Sequence, residues 1–430
     1  MGDDQPDSAA PDLSGDVYEA VRRERVEAVQ WLTSPLAVTE RCNNVYAAGR
    51  AGDLEHFRVV EDRLDDAVQY VARTIEARHP DLAIPPHSRW RHFEVAGTDL
   101  WQALARSLDE DAGDIARIRF DLAVTSVLLD AGAGPDWRYR HADSGTELSR
   151  SEGLAIASFE AFRAGVFSSD PERPLMADAD GLKYLEEDRL AEAFQAGPAN
   201  PLPGLANRVA LLRKLGHSLG ERVEPSGGEP PRPAALFDKL VETSAGGNAS
   251  VLALFGELQR VTGPIWPDRL TLTGASLGDT WPHPQAGGEG LGAGLVPFHK
   301  LCQWMCYSLL EPAEAAGLRF TDASVLTPLA EYRNGGLIVD LGLIEPKHGR
   351  VFGQEHRPGD EIVVEWRALT IPIILAMAEK LRQYFDMDAD RLSLAAVLEG
   401  GTWWAGRRIA AEKRPGGPPP IRVVNDGTVF

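Results

Sequence analysis

The chain has 430 residues, 43% of them hydrophobic, enough for a substantial core in one large domain or a few ordinary ones. Lys and Arg total 44 against 64 Asp and Glu, and a net charge of -20 repels nucleic-acid phosphates and anionic membranes. Three cysteines give no disulfide framework. No stretch approaches the roughly 20 apolar residues of a membrane span, and the acidic start from Met1 to Asp7 has no apolar signal region. Together these features predict a cytoplasmic protein.

In chain order, residues 1–15 are acidic and rich in Pro, Ser and Ala, which predicts a disordered tail. Residues 16–430 predict a single mainly α domain with minor β. After Ala51 and Gly52, the apolar residues Phe57, Val60, Leu64, Val68, Val71 and Ile75 step by three or four, so a long helix is expected up to Pro80. Residues 117–131 read as a mostly buried helix closed by Gly132 and Gly134. Ser149 and Glu152 form a candidate capping box for a helix over about 151–164, and another helix is expected over about 205–219. Residues 221–233, crowded with Pro and Gly, predict an exposed loop, and 280–294 a second irregular region. Helical patterns return at 298–311, 369–385 and 392–398. Strand-like alternation is confined to Ile362, Val364 and Trp366, and to Ile421 through Val424. The chain has no internal repeat, no βαβ alternation and neither glycine-rich nucleotide signature, so nucleotide-binding α/β folds lose support.

Two clusters place charge inside apolar sequence. Glu331, Tyr332 and Arg333 lie between Leu329 and Leu337, and Glu365, Trp366 and Arg367 lie between Val364 and Leu369. A carboxylate and a guanidinium beside a core are costly unless they pair or do chemistry. Buried structural ion pairs are one reading. An active site is the other, because such carboxylates stabilise a cationic sugar transition state and activate water. The loop from His87 to Glu94 carries Arg89, Trp90 and His92, a set suited to an anion or a sugar, or else to a structural loop with a packed Trp. On a helix from Phe298, Lys300, Gln303 and Tyr307 share one face, with Leu301, Met305 and Leu309 on another; a solvent-facing Lys300 is the plainer alternative. Cys302 and Cys306 share a helix face without a third ligand at metal spacing and read as buried thiols. Glu399 to Arg407 and Asn425 to Phe430 read as glycine turns with packed aromatics, the last residue implying a docked C-terminus.

The blocks IPPHSRWRHFE, FDLAVTSVLLDAGAG, VPFHKLCQWMCYSLLEP, LAEYRNGGLIVDLG, EIVVEWRALTIP, LEGGTWWAGR and NDGTVF, among others from about residue 30 to the end, resemble the uracil-catabolism family (the fourth Urc protein). Its bacterial members are sometimes labelled uracil phosphoribosyltransferase, and the family serves a route that opens the pyrimidine ring and releases urea. The chain is also similar to queuosine-salvage nucleotide N-glycosidases. Those are all-helical and DNA-glycosylase-like, and carry in order a block like FYKRAQ, an Asp-Tyr-Arg and a Glu-x-Arg. Here the matching residues are Phe298 to Gln303, Glu331 to Arg333 and Glu365 to Arg367, with Glu331 departing from that family's Asp. The resemblance implies a DNA-glycosylase-like helical core and an N-ribosyl hydrolase acting on a ribosylurea or a ring-opened uridine nucleotide. Glu331, Glu365 and Asp340 are then the candidate catalytic acids. Tyr332, Arg367 or Asp340 would donate to the leaving group, and Lys300 and Arg333 would hold a 5′-phosphate. Trp90, Trp304 or Trp366 would stack, and Gln303, Arg89 and His92 would complete the binding set. No cofactor and no metal are called for. The expected partner is a small ribosyl or phosphoribosyl molecule, without nucleic acid or membrane, on a monomer or homodimer. The alternatives are a phosphoribosyltransferase-type enzyme and a non-catalytic helical scaffold that binds a nucleotide.

Overall fold

The computed structural model describes residues 15–225, 228–267 and 269–424. The expected tail, Gly15 apart, and the expected docked C-terminus lie outside the described residues. The chain is mainly α, with its helices gathered around one hydrophobic core. In order they are α1 (Gly15–Leu32), α2 (Pro35–Ala51), α3 (Leu64–Arg78), α4 (Leu100–Ala105), α5 (Ala112–Leu128), α6 (Arg150–Arg163), α7 (Ala179–Lys183), α8 (Glu187–Ala193) and α9 (Leu205–Arg222). There follow α10 (Ala235–Thr243), α11 (Val251–Thr262), α12 (Lys300–Ala315), α13 (Tyr332–Asp340), α14 (Arg350–Gly353), α15 (Glu361–Phe385), α16 (Leu394–Ala396) and α17 (Trp403–Lys413). Among the described residues every sheet is a two-stranded pair, so no central parallel sheet of four or more strands is present there. No described helix is long and apolar enough to cross a membrane.

The principal helix pairs are α5 with α12, α2 with α15, α13 with α17 and α7 with α9. Two of them depend on a missing side chain. A Cβ on Gly406 of α17 would strike the Arg333 carbonyl of α13, and one on Gly216 of α9 would strike the backbone of Lys183 in α7. α5 is buried from Arg119 through Leu128, and α15 from Ile362 through Ile374, so both thread the core.

The sequence pattern misplaces three elements. Phe57 and Val60 do not belong to the helix that follows. Phe57–Val59 is a strand antiparallel to Ile344–Pro346, and α3 opens only at Leu64. The backbone N–H groups of His56 and Phe57 donate to Glu365 Oε1 at 3.0 and 2.7 Å, which holds this stretch extended. Ile362, Val364 and Trp366 are not a strand but the first turns of α15, N-capped by Asp360. A helix apolar all round shows alternation without obeying it, so period alone does not decide. Ser149 is the N-cap of α6 but makes no side-chain cap bond, and Glu152 pairs with Arg407 instead. The strand expected over Ile421 to Val424 does form, as Arg422–Val423 parallel to Glu355–His356. The predicted 221–233 loop is exposed at Glu224 and Pro225, whereas Arg232 is buried 3.3 Å from Asp121.

Candidate active site

Glu331 opens α13. Its backbone is extended, with φ -120° and ψ 171°, so its side chain folds over the helix start. Oε2 accepts the N–H of Arg333 and Oε1 the N–H of Asn334, both at 2.7 Å. The side chain is 7% exposed. Burial raises the Glu331 pKa, against the pull of these two N–H groups and of the Lys300 and Arg333 charges. The positive end of the helix favours the ionised form in the same direction as those N–H groups.

Lys300 opens α12. Its N–H donates to Asp279 Oδ2 at 3.2 Å, and Asp279 is held by Arg367 through two bonds of 2.8 and 2.7 Å. The ammonium lies 5.5 Å from the centre of the Trp304 ring. Burial lowers the Lys300 pKa, while Glu331 and then Asp130 pull it back up. Asp130 follows the end of α5. Its Oδ1 is 3.1 Å from Nη1 of the fully buried Arg89, and burial still raises its pKa. One half-buried ammonium is thus opposed to two carboxylates.

These groups share a cavity lined by His87, His92, Asp130, Gly132, Ser151, Lys300, Trp304, Leu329, Glu331, Tyr332 and Trp403. Its walls are aromatic. His87 stacks on Trp304 with ring centres 6.2 Å apart, and His92 approaches Trp304 at 6.0 Å and Trp403 at 5.9 Å. His87 Nδ1 is 2.7 Å from Glu399 Oε2, which orients the ring. Burial, and then the Arg89 charge, push His92 down to about 3, so its imidazole is neutral at physiological pH. Tyr332 also lines the cavity, and burial raises its pKa, so its hydroxyl keeps its proton.

The structure brings Glu331, Lys300, Tyr332, Trp304 and His92 together in this cavity. Arg333 stands behind it, its guanidinium 5.0 Å from the Tyr332 ring and 5.6 Å from the Trp403 ring. Arg89 reaches it through Asp130. The remaining candidates do not line the cavity. Glu365 is fully buried and caps His56 and Phe57. Asp340 pairs with Arg414 through both oxygens. Arg367 is engaged by Asp279 and by the Ala330 carbonyl at 3.1 Å. Trp366 donates to Gly335 O at 2.9 Å, and Trp90 to Ser308 O at 2.7 Å. Gln303 closes a reciprocal pair with Thr327, at 2.8 and 3.1 Å. For these six, fixed partners inside the core match the ion-pair and packing alternative. Cys302 and Cys306 are buried, as the plain reading of those thiols has it.

Sequence reasoning missed Asp130, Ser151, Gly132, Leu329 and Trp403 as lining groups, and met His87 only as the first residue of the candidate loop. Asp130 carried a signal: it ends a run of eight apolar or small residues at the foot of a buried helix. Trp403 sits in the stretch from Glu399 to Arg407 that reads as a glycine turn with packed aromatics, and nothing in the sequence joins it to Lys300.

The family described as "Protein of unknown function (DUF1688)" matches residues 31–430. "Protein urg3" of Schizosaccharomyces pombe is 35% identical over 415 residues, covering 94% of this chain and 99% of that protein. "Uracil catabolism protein 4" of Lachancea kluyveri is 34% identical over 437 residues, covering 94% and 99% respectively.

Proposed function

The chain belongs to the DUF1688 family, and from that premise we propose that it is an N-ribosyl hydrolase of uracil catabolism acting on a ribosylurea or its 5′-phosphate. The names of these relatives support a role in uracil catabolism. The observation that carries the chemistry is the buried Glu331 carboxylate, facing Lys300 and Asp130 across an aromatic-walled cavity. Breaking the C1′–N bond leaves positive charge on the sugar ring. A fixed carboxylate beside C1′ stabilises that charge more than it stabilises the neutral substrate, which is what lowers a barrier. The two N–H groups that grip Glu331 keep it in place and cost it only part of its charge.

Water attacks C1′ as the C1′–N bond breaks, and the bonding pair leaves with the urea nitrogen. Glu331 and Asp130 are the carboxylates available to orient the water and take its proton. The Tyr332 hydroxyl is the donor available to the leaving group, since Arg367 and Asp340 are committed to other partners. The products are ribose, or ribose 5-phosphate, and urea. Lys300 supplies the cation for a phosphate, and Trp304 and Trp403 supply flat apolar walls.

The test incubates purified protein with ribosylurea, ribosylurea 5′-phosphate and uridine 5′-monophosphate, and follows urea and uracil by mass spectrometry. Urea release from either ribosylurea, lost in Glu331→Gln, supports the reading. Release from none of the three substrates removes it.

A further inference from the structure

A second cluster lies where the strand Phe57–Val59 meets the first turn of α15. It shares no residue with the cavity above. His56, Glu361 and Glu365 each offer one ligand atom there, all within 4.8 Å of one another. His56 Nε2 is 3.7 Å from Glu361 Oε1. An ion bound at about 2.1 Å to nitrogen and oxygen in a tetrahedral site separates its ligands by roughly 3.4 Å.

Buried polar atoms are nearly always paired. Here His56 Nε2 and Glu365 Oε2 are buried and make no hydrogen bond among the described residues. Glu365 itself is fully buried. Its Oε1 is saturated by the His56 and Phe57 N–H groups, which leaves Oε2 as the open donor. A neighbouring histidine holds the His56 ring in place. His56 Nδ1 is 2.9 Å from His348 Nε2. A proton on Nδ1 donated to His348 leaves the Nε2 lone pair of His56 directed toward Glu361, the arrangement that metal-bound histidines use. His283 Nδ1 accepts the N–H of Gln285 at 3.1 Å, so its proton sits on Nε2, 3.5 Å from Glu365 Oε2. A protonated Nε2 offers no lone pair, so His283 is not itself a ligand. Two carboxylates beside a lone pair repel one another, and a divalent cation removes that repulsion with no net charge left over.

We propose that His56 Nε2, Glu361 and Glu365 bind a divalent cation of the zinc class, with His348 fixing the orientation of the His56 ring. The ion would tie α15 to the strand pair Phe57–Val59 and Ile344–Pro346. It takes no part in the proposed hydrolysis.

The test uses full-length protein stripped with a chelator and titrated with Co²⁺ as the probe, read by visible absorption and by metal content after dialysis. About one ion per chain is expected. Glu361→Gln should weaken binding at least tenfold. The Glu361 side chain is 44% exposed, so that variant will fold. Lys300→Ala should bind like the parent, which separates this site from the cavity. Absence of Co²⁺ absorption, or equal binding by the parent, Glu361→Gln and His56→Gln, overturns the proposal. It would mean that the His348–His56 hydrogen bond runs the other way, with His56 Nε2–H serving Glu361.

Discussion

Glu331 performs two tasks with one side chain. It satisfies two N–H groups at the start of α13, and it presents negative charge to the cavity. Glutamine keeps the size and an accepting oxygen but removes the charge. Glu331→Gln should therefore lower kcat by about 100-fold or more, with a far smaller change in Tm, in line with the loss of one preorganised electrostatic group. Turnover equal to the parent on a confirmed substrate would make Glu331 structural and leave Asp130 as the carboxylate to test. The pH profile gives a second check. Burial holds the Glu331 carboxyl above the ordinary glutamate value. The ionised form is the working one, so activity should fall as pH drops through that raised pKa. The acid limb of kcat/KM should stand above the normal glutamate range. The Lys300 charge pulls the Glu331 pKa down, so Lys300→Met, assayed on the unphosphorylated substrate, should move that limb upward. A limb that stays in place in Lys300→Met would show that another group sets it. The two residues at the heart of the cavity were legible because each stood in a recognisable short block. Asp130 was not, since an Asp at the end of a buried helix looks like any polar terminus until Lys300 arrives from 170 positions away.

Among the elements, α12 and α15 are joined through Asp279. It accepts the N–H of Lys300 at the start of α12, takes both guanidinium nitrogens of Arg367 on α15, and accepts the indole N–H of Trp281 at 2.8 Å. Burial would raise its pKa, but the Arg367 pair and its hydrogen bonds overcome this and hold it well below the usual carboxylate range. Removing one partner of a buried pair strands the other. Asp279→Asn should thus cost about 3 kcal/mol in urea unfolding at pH 7. Because the folded pKa is depressed, this stabilisation is present above the unfolded Asp value of about 3.9 and is lost as pH falls below it. The gap between parent and variant should narrow steadily in that acid range; a gap independent of pH would show that packing, not charge, is what Asp279 provides. Periodicity revealed α5, α6, α9 and α12 to within a few residues, because each has a distinct apolar face or a clear glycine stop. It failed at Phe57 and at Ile362 because those segments are governed by contacts across the molecule. Glu365 holds residues 56 and 57 extended from more than 300 positions away, and burial on every side of α15 erases its period.

Over the whole molecule, the cavity is assembled from residues near positions 90, 130, 151, 300, 331 and 403, carried by elements that meet only in the folded core. No short segment contains it, which is why the sequence offered fragments of a site and not its shape. The same dispersion makes ligand binding a test of the global fold. A ligand that needs all six walls binds the native state and not the unfolded chain. It stabilises the whole by RT ln(1 + [L]/Kd), about 2.7 kcal/mol at 100-fold saturation. For a chain of this length that corresponds to a Tm rise of about 3 °C. Ribose 5-phosphate, a product of the proposed reaction, is the probe. It should raise a single cooperative transition, whereas ribose at the same concentration should raise it less, because Lys300 gains a partner only from the phosphate. Lys300→Ala should bring the two ligands level. Equal shifts for ribose and ribose 5-phosphate in the parent would remove phosphate from the recognised group and leave the unphosphorylated ribosylurea as the substrate to pursue. No shift with either would take the sugar out of this cavity.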